Sequence, residues 1–208
     1  MSITILLIAI TAIISIAAFS NNAVIQKLIL YPTIMSRPAE YYRLVSSGFI
    51  HADWNHLIFN MMTLYFFGAG VESIMADRFP GAGNTSYMIF YLLAVAMSSL
   101  PAMYKHKNNP HYAALGASGG VSAVLFFVIY YAPWIGINLY FIPIGIPGII
   151  FAVLYSVYSF YMSKRGNDNI GHDAHLGGGI FGFVVALIID PTHGLSFIYQ
   201  LMHPRFNF

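Results

Sequence analysis

The sequence predicts an all-α polytopic membrane protein, a bundle of six transmembrane helices with a long first loop lying in the membrane interface. Three observations lead there. The 208 residues are 58% hydrophobic and only 8% charged, against roughly a quarter charged in soluble domains. Aromatic residues reach 16%, as in proteins with aromatic belts at both membrane surfaces. Finally, six stretches are apolar for long enough to cross, or nearly cross, a hydrocarbon core of about 30 Å.

Taken in order, those stretches are Ile3–Phe19, Trp54–Met75, Ser86–Met103, Leu115–Tyr131, Ile146–Met162 and Ala174–Ile189. The first lacks a basic leader and a small-residue cleavage site, so it reads as a retained helix rather than a signal peptide. Pro143 and Pro147 suit the start of the fifth helix, where a missing N–H costs little. Asp190-Pro191 ends the sixth. The connection from Ser20 to Asp53 is far longer than bundle loops usually are. It carries Tyr31, Tyr41, Tyr42, Phe49 and Ile50, which makes it a half-buried interfacial segment rather than a disordered one. The aromatic tail from Thr192 reads as interfacial too. No repeat or linker divides the chain, so residues 1–208 are expected to form a single domain. A net charge of +2 gives no reason to expect a nucleic-acid partner, and the absence of cysteine excludes disulfides and thiolate chemistry.

Six crossings put loops one, three and five at one membrane face. Ser118 opens the fourth helix from loop three, His175 the sixth from loop five, and His56 the second from loop one. A serine, a potential base and a further hydrogen-bond donor therefore converge just below one surface. Ser118 lies in Gly116-Ala-Ser-Gly-Gly120, where backbone can approach its hydroxyl closely and free helix N–H groups surround it. That string alone better suits a small-residue packing patch; the histidines elsewhere in the chain shift the balance. His175 carries Gly178 and Gly182 on its own helical face, at +3 and +7, which lets a neighbouring helix come very near. His56 and Asn60, spaced i,i+4, share one face. They can serve as oxyanion donors or simply as polar glue between helices.

Together Gly116-Ala-Ser118-Gly119, Ala174-His175 with Gly178 and Gly182, and His56-x-x-x-Asn60 resemble the rhomboid family of intramembrane serine proteases, in its minimal six-helix bacterial form. Tyr42-Arg43 is similar to that family's Trp-Arg signature, and Gly68-x-Gly70-Val71-Glu72 to the glutamate-ended close of its second helix. The resemblance implies Ser118 as nucleophile and His175 as base, with no carboxylate. It implies His56, Asn60 and the Ser118 N–H as oxyanion donors, and loop five as a cap over a water-filled cavity. It implies no metal or cofactor. Substrates would be transmembrane segments admitted between the second and fifth helices, with membrane lipids as the other partner. One departure stands out: where the best-studied bacterial members carry a tyrosine that supports the histidine, four residues after the nucleophile, this chain has Ser122. The alternative is a catalytically silent rhomboid-like protein that binds transmembrane segments.

Other readings are weaker. His172-x-x-His175 lacks the Glu of a zinc-protease helix. The aspartates lie at helix ends or in loops, not paired within helices as an intramembrane aspartyl protease requires. Asp173, at i−2, points away from the His175 face. His172 is expected in the loop-five cap, and His51, His106, His111, His193 and His203 on solvated surface. Seven of the nine basic residues fall in loops one, three and five, which by the positive-inside rule would face the cytoplasm. The resemblance implies the opposite, a bacterial inner-membrane protein with its site opening outside, and that is the expectation adopted.

Overall fold

The computed structural model describes residues 2–138, 145–165 and 171–205. Its helices are α1 (Ile3–Phe19), α2 (Asn22–Leu28), α3 (Arg43–Ser46), α4 (Trp54–Arg78), α5 (Gly83–Lys105), α6 (Ser118–Tyr131), α7 (Gly148–Arg165), α8 (His172–Ile189) and α9 (His193–Met202). A two-residue antiparallel ladder, β1 (Gly136–Ile137) with β2 (Ile146–Pro147), leads into α7. The protein is an all-α membrane bundle of α1, α4, α5, α6, α7 and α8.

Three helices, α4, α5 and α8, are long and apolar enough to cross a membrane, while α1 and α6 are apolar but shorter. At 14 residues, α6 rises only about 21 Å. The sequence expectation of a fourth helix starting at Leu115 gives way here to a start at Ser118. Hydropathy marks where a chain is apolar, not where it is helical, and the preceding segment is held extended instead. Ala114 and Leu30 exchange backbone hydrogen bonds at 3.0 Å, and the Gly116 N–H donates to Ser47 O at 2.9 Å. Non-helical backbone in a membrane protein is tolerated where protein groups satisfy its hydrogen bonds, as Leu30 and Ser47 do here. The fifth helix is likewise shortened at its start, whereas the sixth is extended. The fifth begins at Gly148, after Pro147 has paired with Gly136, and the sixth at His172 rather than Ala174. Pro143 lies outside the described residues.

Every residue of α6 from Gly119 to Tyr130 is buried. A helix apolar all round belongs in the core, and α6 is the post around which α4, α5 and α8 pack. The contact of α6 with α8 is the most extensive between helices among the described residues. The outer faces carry the exposed apolar side chains, such as Ile58 and Phe66 on α4, Leu93 on α5, Leu154 and Val157 on α7, and Ile188 on α8. These are lipid-facing surfaces.

The first loop is organised rather than loose. It holds α2, α3 and three short 3-10 turns, and Arg43 ties them together. Arg43 is buried, donates from Nε to Glu40 at 2.6 Å and from Nη1 to the carbonyls of Gln26 and Ile29 at 2.9 and 2.8 Å. Its guanidinium also lies over the Tyr42 ring, 5.2 Å from the centroid. Glu72 works at the other end of the bundle. Its carboxylate accepts from the Ser2 and Thr4 hydroxyls and from the N–H groups of Ile3 and Thr4, at 2.8 to 3.2 Å. A carboxylate on the first N–H groups of α1 satisfies donors that have no partner within the helix, and so fastens α1 to α4.

At the C-terminus of α8, Asp190 pairs with Arg78 of α4 and accepts from Thr192 Oγ1 at 2.7 Å and His193 N–H at 3.2 Å. Burial pushes this carboxyl upward, but the two hydrogen bonds and the Arg78 charge outweigh that and hold it below its usual range. A depressed carboxylate pKa contributes stability above the unfolded value of about 3.9 and loses it as pH falls through the folded one. Asp190→Asn should therefore destabilise by about 1–3 kcal/mol at neutral pH. Thermal melts in detergent should show that gap closing below the ordinary carboxylate range; a gap of constant size would mean the charge is not responsible.

Candidate active site

Ser118 is the first residue of α6 and is half-buried. The Val121 N–H reaches Ala117 O at 2.9 Å, so by helix geometry the N–H groups of Ser118, Gly119 and Gly120 have no acceptor within the helix. They form a ready cluster of donors around the serine. The residue before it is anchored from an unexpected side. His51, expected on solvated surface, is instead only 1% exposed, and its Nε2 accepts the Ala117 N–H at 3.2 Å. Its Nδ1 must then carry the proton, which it donates to Ser15 Oγ at 2.9 Å, and that hydroxyl passes its own to Phe49 O at 3.0 Å. Burial, and then the neighbouring His56, push the His51 pKa down to about 3 against the pull of Asp53, so the ring stays neutral. In sequence, His51 precedes His56 at the foot of the second helix; only the chain's return through Ala117 makes it a buried anchor.

Gly116 has φ +112°, in the left-handed region that favours glycine. Its empty side is filled by His56, since a Cβ there would lie 2.5 Å from His56 Cε1 and 2.7 Å from Nε2. The His56 ring is thus seated two residues before Ser118. Asp53 caps α4 by accepting the His56 N–H at 2.9 Å, which fixes where that first turn begins. Asn60 is buried one turn below, and its Nδ2 donates to the His56 carbonyl at 2.7 Å. In this structure one of its two amide donors is therefore spent on its own helix.

The starts of α6 and α8 meet through their glycines. A Cβ at Gly178 would strike the carbonyl of Gly119, and one at Gly182 the carbonyl of Ala123. A Cβ at Gly119 would strike Ser98 and come within 3.2 Å of Ala174 O, the residue before His175. His175 itself is half-buried, and its ring stacks on Tyr155 of α7 with centroids 5.6 Å apart and planes at 22°. The Tyr155 hydroxyl is 3.0 Å from Ser122 Oγ, one turn below Ser118 on α6. Serine helix and histidine are thus joined by a ring from a third helix, a residue that nothing in the local sequence around the site signals.

His172 departs from its expected place in the loop-five cap. It is the first residue of α8 and is buried, with its ring edge-on to His175 at 5.8 Å and to Tyr158 at 5.5 Å. The reason is that α8 starts two residues early, with the Ala174 and His175 N–H groups bonding back to Gly171 O. Residues 166–170 of that loop lie outside the described residues. Asp173 turns away from His175 and pairs with Lys105 of α5 at 2.9 Å.

These features define an integral membrane helical bundle in which a serine-led helix and a histidine-led helix meet at a polar end. The chain belongs to the rhomboid family, whose domain model matches residues 38–191. It is 25% identical to the rhomboid protease GlpG of Haemophilus influenzae over 189 residues, 89% of this chain and 90% of that one. It is 28% identical to the rhomboid protease GluP of Bacillus subtilis over 163 residues, 78% of this chain, and 30% identical to the mitochondrial RHOMBOID-like protein 12 of Arabidopsis thaliana over 146 residues, 66% of this chain. The match spans 29% and 43% of those two longer relatives respectively. The family match takes in Ser118, His175, His56 and Asn60 together.

Proposed function

We propose that the chain is an active intramembrane serine endopeptidase that cuts transmembrane segments of other membrane proteins. Ser118 Oγ attacks the scissile carbonyl carbon while His175 takes its proton. The negative charge that develops on the carbonyl oxygen is met by the Ser118 N–H, with His56 as a side-chain donor and Asn60 contributing its remaining amide hydrogen. Collapse of the tetrahedral intermediate expels the amine, which leaves with the proton from His175. Water then attacks the acyl-enzyme, giving up a proton to His175, and the acid product departs as Ser118 is regenerated.

One observation carries this reading. Tyr155 contacts the His175 ring and the α6 face that Ser118 heads, so base and nucleophile share one wall of the site. Both related proteases, GlpG and GluP, support the activity class. As for orientation, at least two of the basic residues behind the positive-inside count have structural work. Arg43 is buried under the first loop and Lys105 is held by Asp173. Arg78 on the opposite side is engaged in the same way with Asp190, so these pairs weigh for neither face, and the site opening to the extracytoplasmic side of a bacterial inner membrane rests on the family resemblance alone.

Cleavage of a fluorogenic transmembrane peptide by the purified protein tests the reading, with substrate binding measured alongside. Binding without Ser118-dependent cleavage would favour a silent segment-binding protein. Removing one oxyanion donor typically costs about 2.7–4 kcal/mol, or ~10²–10³ in kcat. His56→Ala should reach that range with KM little changed. Asn60→Ala should cost less, because part of its amide is already engaged. Unchanged kcat with lowered thermal stability in both variants would mark the pair as packing glue instead.

A further inference from the structure

We infer that Tyr155, held by Ser122, is the positioning residue for His175, a role divided here between two helices. The inference rests on the dyad reading given above. An imidazole that must accept a proton from Ser118 and later return it needs a fixed plane, and a small change in its direction costs rate. The Tyr155 ring supplies that plane: its near-parallel offset geometry, 5.6 Å and 22°, lies in the range favoured by aromatic pairs. The ring is itself fixed at both ends. Phe151, one turn earlier on α7, stacks on it at 5.4 Å and 17°, and Phe126 of α6 packs against it at 6.2 Å. Its hydroxyl meets Ser122 Oγ at 3.0 Å. The serine at position 122 is too short to stack on His175 itself, and the ring that does so comes from α7, with its hydroxyl on Ser122. Ser122 is buried, so the hydroxyl pair is shielded and the geometry is held by more than apolar packing. The orientation of His175 consequently depends on α7 lying against α8.

Four variants separate this from a merely structural role: Tyr155→Phe, which keeps the ring, Tyr155→Leu, which keeps apolar volume without it, Ser122→Ala, and Ser122→Ala with Tyr155→Phe. Each is assayed for kcat and KM on a fluorogenic transmembrane peptide, for the rate of labelling by a fluorophosphonate, and for its thermal melt. Tyr155→Leu should lose about 10–100-fold in kcat and in labelling rate, with KM nearly unchanged, since misplacing a reacting group by about 1 Å costs on that order. Tyr155→Phe should recover most of that loss. Ser122→Ala should match Tyr155→Phe, and the double variant should be no worse than either, because both remove the same bond. A folded Tyr155→Leu protein with wild-type kcat would overturn the inference. If Tyr155→Leu does not fold, the pair of hydroxyl variants decides, and additive losses or no loss from them would overturn it equally. Should wild type label no faster than Ser118→Ala, it is the dyad reading that fails, and this inference with it.

Discussion

Ser118→Ala should remove both fluorophosphonate labelling and peptide cleavage, and His175→Ala should do the same. For a nucleophile and base that act as a unit, each loss alone costs about 10⁵–10⁶ in kcat, which reaches the assay background. The fold should survive both changes, because the two side chains are only half-buried and α6 and α8 are joined through backbone at their glycines. His172 is the discriminating control. It lies in the same first turn and its ring touches that of His175, so His172→Gln should lower activity modestly while leaving Ser118-dependent labelling intact. A folded His172→Gln protein as inactive as His175→Gln would mean the base has been misassigned. Equal labelling of the Ser118→Ala protein would remove the nucleophile.

The second large effect is structural. Gly178→Ala and Gly182→Ala would each drive a Cβ into a backbone carbonyl, of Gly119 and Ala123 respectively. A side chain could turn aside, but a carbonyl within a helix moves only if the whole helix shifts. Overpacking of this kind usually costs about 1–3 kcal/mol, and contact with backbone puts these sites at or above the upper end. The Tm should drop for either variant, and kcat should drop with it as α6 and α8 are pushed apart. Gly177→Ala is the internal control. Its Cβ would meet Pro101 at 3.4 Å and Ser98 O at 3.5 Å, which is ordinary contact, and alanine is the better helix former by about 1 kcal/mol. If Gly178→Ala melts and cleaves like Gly177→Ala, the glycine seam does not set the distance between the two helices.

Much of this was legible in the chain itself. A charged content of 8% and the spacing of apolar stretches lead to a membrane bundle because lipid leaves the backbone few alternatives to helix. Glycines at +3 and +7 from His175 read as a close helix contact because helical period is local and survives in sequence. That contact is present, against Gly119 and Ala123. Glu72 and Arg43 stood out as motif residues, although nothing in their neighbourhoods says what they hold. In the fold, one caps α1 and the other clasps the first loop.

What only the tertiary structure decided is where chain segments far apart in sequence meet, since side-chain contacts across elements leave no periodic trace in either one. Tyr155 lies 20 positions from His175 on a different helix, and it looks like one more aromatic in a lipid-facing run until α7 is laid against α8. His51 reads as a loop histidine until the Ala114–Ala117 segment returns beside it and offers an N–H to its ring. Likewise the start of α6 moves from Leu115 to Ser118 because pairing with Leu30 and Ser47 holds the preceding residues extended, a long-range bond that hydropathy cannot register. Composition and period determine which segments are helical and which faces are apolar; the contacts that bring His175 and the Ser118-led helix to one aromatic ring arise only once those helices are packed.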